Sequence, residues 1–370
     1  MHIIHKLAAK HCRDAMTMDA VHEQGGAFAC RHGKGYNLWA DFLVSASGSI
    51  WRHRMGSIKM GIGLGLWHHG MPDAATLLEY IDKADAWGMD SVWLSDHLMG
   101  PRPEVAIMPM MAAIAARTQR LKFGPSVMML PLRHPITVAK EMATLDFLAP
   151  GRVIMAVGLG ADEHEAAAFN VPLKQRGPMT DEGIAILRKL WAEPDISHHG
   201  TYYQFEHVTI TPRPAKKIDI WVGGRSDAAL RRVARLADGW FASFVTPQEF
   251  AEGQAKIATF AMAYGREDEE IEAGSILFCH VDADGQKARR DFAAFFAGNA
   301  RRPPELMLER SAVGTPEECR EVIQRYVEHG LTKYALWPAC PPHQLLQQLA
   351  YYAQDIAPYF EQRDVPLATP

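Results

Sequence analysis

Cysteine is scarce in this chain: five in 370 residues, Cys12, Cys30, Cys279, Cys319 and Cys340, with no CxxC pair and no zinc-ligand spacing. An odd, scattered set excludes a disulfide framework and fits a reducing cytoplasm. Long apolar runs are missing too. Nothing approaches the ~18 uninterrupted apolar residues of a membrane helix, and the first fifty residues hold no apolar stretch of secretory type. An excess of one charge is also lacking: 39 Lys and Arg stand against 43 Asp and Glu, a net charge of −4, and no dense basic run could neutralise phosphates. A nucleic-acid partner and a membrane are therefore not expected. What is present, 48% hydrophobic and 22% charged residues, is enough to bury a large core.

The N-terminal stretch is unlike the rest. Six of the 17 histidines (His2, His5, His11, His22, His32, His53) and two of the five cysteines precede Ser57, without helical or alternating periodicity. Residues 1–57 read as a poorly structured leader, and their spacings match no metal geometry. Met55 and Met60 bracket the point where regular patterning begins, so a translation start inside this stretch is an expectation.

From Lys59 onward short apolar runs alternate with amphipathic stretches, the pattern of βαβ units. Candidate strands are Met60–Leu66, Ser91–Ser95, Leu121–Met128, Val153–Val157, Ile218–Val222, Trp240–Phe244, Ser275–Val281 and Lys333–Trp337. That number suits an α/β protein of the (β/α)8 TIM-barrel class over 58–360, followed by a tail at 361–370. Asp73 can cap one helix that Gly88 ends, and Thr315-Pro316-Glu317-Glu318 can start another that Gly330 ends. Two long connections stand out. One holds a helix (Thr180–Trp191) and a hairpin (Thr201–Phe205 with Val208–Thr211), and the other is Gly298–Gly314. In a barrel such insertions are expected at the C-terminal mouth, over the active site; surface decoration is the alternative.

Several strand ends carry candidate chemistry. Ile220-Trp221-Val222-Gly223-Gly224-Arg225-Ser226-Asp227 runs from a strand through two glycines into a helix start, which suits a phosphate. The glycines could equally serve a tight turn. Ser95-Asp96-His97 follows an apolar strand, so Asp96 and His97 belong at the mouth, where the histidine could exchange a proton or simply brace the loop. Ser126-Val127-Met128-Met129 ends another strand and could wall a flat aromatic ligand or be plain core. Val157-Gly158-Leu159-Gly160 would let a large ligand pass near the backbone. Trp67-His68-His69 lacks the His-x-His spacing of metal-dependent barrel hydrolases, so no metal site is assigned. Asp162-Glu163-His164-Glu165 reads as a solvated helix start, and Glu267-Asp268-Glu269-Glu270 as an exposed acidic stretch.

In this order the pieces resemble the bacterial luciferase-like superfamily of flavin- and deazaflavin-dependent oxidoreductases. The resemblance rests on Ala86-Trp87-Gly88-Met89-Asp90-Ser91-Val92-Trp93 with Ser95-Asp96-His97, on Arg133-His134-Pro135, and on Gly151-Arg152 before Val157-Gly158-Leu159-Gly160. Trp221-Val222-Gly223-Gly224 and Ala237-Asp238-Gly239-Trp240 complete it. It implies a TIM barrel with a flavin-like ring at the mouth and a cis peptide at Ser126–Val127 beneath that ring. It further implies cofactor binding by Ser126, Val127, Met128, Gly158, Gly160, Gly223, Gly224, Arg225 and Ser226. Asp96 and His97 would be catalytic, and Trp67 and Ser243 would face substrate. Some sugar-phosphate dehydrogenases of the superfamily carry an acidic proton donor where this chain has Ala161, so that activity is not carried over. The resemblance implies coenzyme F420 and hydride exchange with a small organic substrate. Its alternatives are an FMN-dependent monooxygenase served by a separate flavin reductase, and a non-catalytic flavin-binding relative. A homodimer is the expectation the resemblance brings.

Overall fold

The computed structural model describes residues 58–160, 162–299 and 302–361; the leader 1–57, Ala161 and tail residues 362–370 lie outside the described residues. The strands are β1 (Lys59–Leu64), β2 (Ser91–Leu94), β3 (Lys122–Pro125), β4 (Met128–Met129), β5 (Ile154–Gly158), β6 (Ile196–His199), β7 (Gln204–Val208), β8 (Asp219–Gly223), β9 (Gly239–Ser243), β10 (Glu272–Val281), β11 (Ser311–Gly314) and β12 (Lys333–Pro338). Between them run α1 (Ala74–Ala86), α2 (Ile107–Arg117), α3 (Pro135–Leu148), α4 (Glu163–Ala168), α5 (Arg176–Ala192), α6 (Asp227–Leu236), α7 (Pro247–Ala263), α8 (Gly285–Phe295), α9 (Pro304–Leu308) and α10 (Pro316–Glu328).

A ten-stranded sheet follows the order β3-β2-β1-β12-β10-β9-β8-β5-β4, with β11 added beside β10. All its pairings are parallel. Strands β3 and β4 are two parts of one barrel strand interrupted at Ser126–Val127, and a bridge from Phe123 to Val153 joins β3 to the chain entering β5. The two ends of the order thus meet, and the sheet nearly closes into the expected TIM-type barrel. Each predicted strand lies on an observed one. The sequence reading missed β11, whose four residues Ser-Ala-Val-Gly are too short and small to stand out.

Local signals place the helices. The Asp73 carboxylate accepts the Thr76 N–H at 2.7 Å to start α1, and Thr315 and Glu318 form a reciprocal capping box at α10. Inside the barrel, Trp93, Trp221 and Trp337 are fully buried, and Trp93 stacks on Phe241 at 4.4 Å. At the floor Lys333 pairs with Asp90 at 2.9 Å. Burial lowers the Lys333 ammonium from its usual range, although the Asp90 charge works in the opposite direction. Among the described residues no helix is long and apolar enough to cross a membrane.

The hairpin differs from expectation in register. Its strands are β6 and β7, paired Ile196↔Val208 and His199↔Gln204, so the turn falls at Gly200–Tyr203 rather than around Glu206. The hairpin packs against α3 and α5. There Glu182 accepts the Tyr203 N–H at 2.9 Å and pairs with His198, and Tyr203 meets the His134 ring at 5.5 Å. The second insertion, Gly298–Gly314, does sit at the mouth, carrying α9 and β11 beside the C-terminal end of β10.

Candidate active site

The mouth is organised around the break between β3 and β4. The Ser126–Val127 peptide is cis. Val127 faces the barrel interior, where a Cβ on Gly158 would overlap its side chain and one on Gly223 would come within 2.7 Å. Only glycine at these two strand ends leaves room for the protruding residue. Ser126 Oγ is buried there without a hydrogen-bond partner. Met128 points the other way. It is fully buried in the core between barrel and helices, so of its two readings plain core is correct for the side chain; successive strand residues face opposite sides.

Asp96 anchors this break. Its carboxylate accepts Arg133 Nη1 and Nη2 at 2.7 and 2.8 Å and the Met129 N–H at 2.9 Å. A bidentate pair with a side chain only 2% exposed is a fixed brace. Asp96 therefore acts on the site through the β4 backbone, with each oxygen accepting at least one hydrogen bond from the brace.

His97, the next residue, is 38% exposed, and its Nδ1 lies 3.2 Å from Glu165 Oε2. The other Glu165 oxygen accepts the Leu98 N–H at 2.5 Å and the Met99 N–H at 3.3 Å. Here the sequence reading needs correction. Asp162, Glu163 and His164 are exposed as a solvated helix start should be, but Glu165 is 2% exposed and belongs to the site. No local pattern marks it, because the partners that bury it lie 66 to 68 residues away. Glu104 was likewise unmarked. It ties the ends of β1 and β2 together, accepting the Leu66 N–H at 3.1 Å and the Ser95 hydroxyl at 2.6 Å.

On the far side, Gly224 adopts φ +113°, and a Cβ there would come within 2.9 Å of the Ala229 methyl. Its carbonyl accepts Trp240 Nε1 at 2.7 Å, which pins the turn. Ser226 caps α6 by accepting the Ala229 N–H at 3.3 Å, so the first N–H groups of an exposed helix start face outward. Arg225 turns aside: its Nη1 donates to the Phe244 carbonyl at 2.9 Å, which Arg310 Nε also reaches at 3.2 Å. Ser243, half-buried, precedes that junction. Gly160, at φ +73°, lies over Met129.

Trp67 and His68 form the roof over the β1 end. Trp67 is 4% exposed with Nε1 unpartnered, and His68 packs on Phe295 at 4.7 Å and Phe296 at 5.7 Å. Burial first, then the Arg102 and Arg302 charges, lower the His68 pKa to about 4. A neutral, ring-stacked His68 is part of a wall, and no group of three potential metal ligands exists among the described residues.

A profile of the luciferase-like monooxygenase family matches residues 55–333. The chain belongs to that family. This luciferase-like protein is similar to F420-dependent glucose-6-phosphate dehydrogenases of Microbacterium testaceum (31% identical over 318 residues, covering 78% of this chain and 94% of the relative) and Nakamurella multipartita (29% over 310 residues, 74% and 89%). Among solved structures, a monooxygenase from Streptomyces bottropensis overlays with a TM-score of 0.71 at 23% identity, covering 82% of this chain and 100% of that one. An F420-dependent secondary alcohol dehydrogenase bound to an F420-acetone adduct overlays with a TM-score of 0.71 at 20% identity, covering 81% and 98%. The luciferase-like chain is thus an oxidoreductase of a family whose members use F420 or FMN, built on a shared barrel.

Proposed function

We propose that this luciferase-like protein uses coenzyme F420 to move a hydride to or from the oxygen-bearing carbon of a small alcohol or carbonyl compound. One observation carries the reading: a partly exposed imidazole, His97, stands at the barrel mouth with Nδ1 engaged by a buried carboxylate and Nε2 free for a substrate oxygen. Oxidising an alcohol by hydride removal requires a base at the hydroxyl, and reducing a carbonyl requires an acid at the oxygen; one imidazole serves both directions.

The residues present fit the cofactor. The orphaned Ser126 hydroxyl beside the cis peptide offers a hydrogen bond to a polar ring edge, and Val127 offers a surface for the ring to rest on. The Gly223–Ser226 turn, which no larger residue could form at Gly224, offers helix-terminal N–H groups to a phosphate. When bound, F420 supplies a carbon that gives or accepts the hydride. Everything else falls to the chain: His97 holds or releases the proton, Asp96 and Arg133 keep the break in place, and Trp67 with the α8–α9 segment shields the mouth from water.

The test is anaerobic turnover of purified protein with F420 and a panel of small alcohols, followed by loss of the oxidised F420 absorbance. Turnover with F420 and no oxygen requirement is expected. Oxygen uptake with reduced FMN, and none with F420, would overturn the proposal.

A further inference from the structure

We infer that Glu165 is the positioning residue of His97, and that it holds the imidazole as the Nδ1–H tautomer with the Nε2 lone pair turned to substrate. The inference rests on the proton role proposed for His97.

Three contacts converge on this one carboxylate: His97 Nδ1 at 3.2 Å, the Leu98 N–H at 2.5 Å and the Met99 N–H at 3.3 Å. Both backbone groups are obligate donors, so the side chain works there as an acceptor, and an acceptor at Oε2 asks the ring for an N–H. Among the described residues no other hydrogen-bond partner stands at Nδ1. The neighbouring Asp96 has both oxygens committed to Arg133 and Met129. The carboxylate is enclosed, since Glu165 is buried in the first turn of α4, where the Asp162 side chain accepts its backbone N–H at 3.1 Å. The same group therefore orients the ring and shapes the loop 97–99 that carries it.

The isosteric Glu165→Gln separates the two duties. A glutamine oxygen can still accept the Leu98 and Met99 N–H groups, but its NH2 would donate to His97 and favour the opposite tautomer. Nitrogen-15 spectra of histidine-labelled full-length protein, with the His97 signals assigned by their loss in His97→Ala, should show a protonated Nδ1 and an unprotonated Nε2. E165Q should reverse that pattern. Its kcat should fall by about 10–100-fold, the usual effect of losing an orienting partner, while KM, F420 affinity and melting temperature stay near wild type. An Nε2–H tautomer in the wild-type spectrum would overturn the inference, whether or not E165Q folds. So would an unchanged kcat, or a kcat loss matched by equal losses of F420 affinity and stability, which would mark Glu165 as a loop brace alone. The tautomer is read without turnover, so failure of the F420 proposal and failure of this one remain distinguishable.

Discussion

Asp96 and Arg133 are joined by two charge-assisted hydrogen bonds of 2.7 and 2.8 Å, one residue lying just past β2 and the other just past β4. Between them runs the cis-containing turn of the third barrel strand, whose Met129 N–H the same carboxylate accepts. The pair fastens two neighbouring strand ends at the mouth, so the position of the cis-containing turn is set by a rigid bracket.

Removing one partner leaves the other charge buried. Asp96→Asn is expected to destabilise the fold by about 3 kcal/mol, in the range for breaking a buried ion pair, and to weaken F420 binding. Urea unfolding and a binding titration check both. A loss below about 1 kcal/mol with unchanged affinity would show that the bracket is dispensable.

His97→Ala should leave the bracket and the phosphate turn intact. Its kcat is expected to fall by about 10²–10⁴-fold, the usual size of a lost general acid–base contribution, with F420 affinity preserved. Steady-state kinetics beside the titration make the check, and activity close to wild type would remove His97 from the chemistry.

The phosphate turn is probed by contrast. Gly224→Ala places a side chain at φ +113° against Ala229, so it is expected to cost more than about 1 kcal/mol and to weaken F420 binding. Arg225→Ala should have a smaller effect on binding, because that guanidinium donates to the Phe244 carbonyl. The reverse ranking would mean that Arg225 swings onto the phosphate.

Much of this architecture is legible in the chain because barrel strands are buried on both faces and appear as apolar runs ending in glycine or polar residues. Gly223-Gly224 and Ser95-Asp96-His97 stand out for that reason. The hairpin register was not legible: the turn is made by Gly200, while His207 takes the positive φ of 55° that suggests a turn further on. Glu165 was hidden by its setting, since an acid in the first turn after an Asp cap looks like ordinary dipole stabilisation. Its burial depends on Leu98 and Met99, which only the closed barrel brings near. Asp96, read from the sequence beside His97 at the mouth, braces Arg133 and the Met129 N–H, partners more than thirty residues away that no local pattern marks.

Acid should loosen the roof. His68 has a folded pKa of about 4, below the ~6.5 of an unfolded histidine, so between those values the unfolded chain binds more protons. Stability is therefore lost as pH falls from about 6.5 toward 4, and is unaffected by His68 above that window. His68→Gln should flatten this part of a plot of urea midpoint against pH. An unchanged slope would show that other groups dominate.

The account's central claim is that the mouth holds a deazaflavin. Its most direct test is a fluorescence titration of the purified protein with F420 and, separately, with FMN. Saturable binding of F420 at one equivalent per chain, much tighter than FMN, is the predicted result; tight FMN binding with none for F420, or binding of neither, contradicts it.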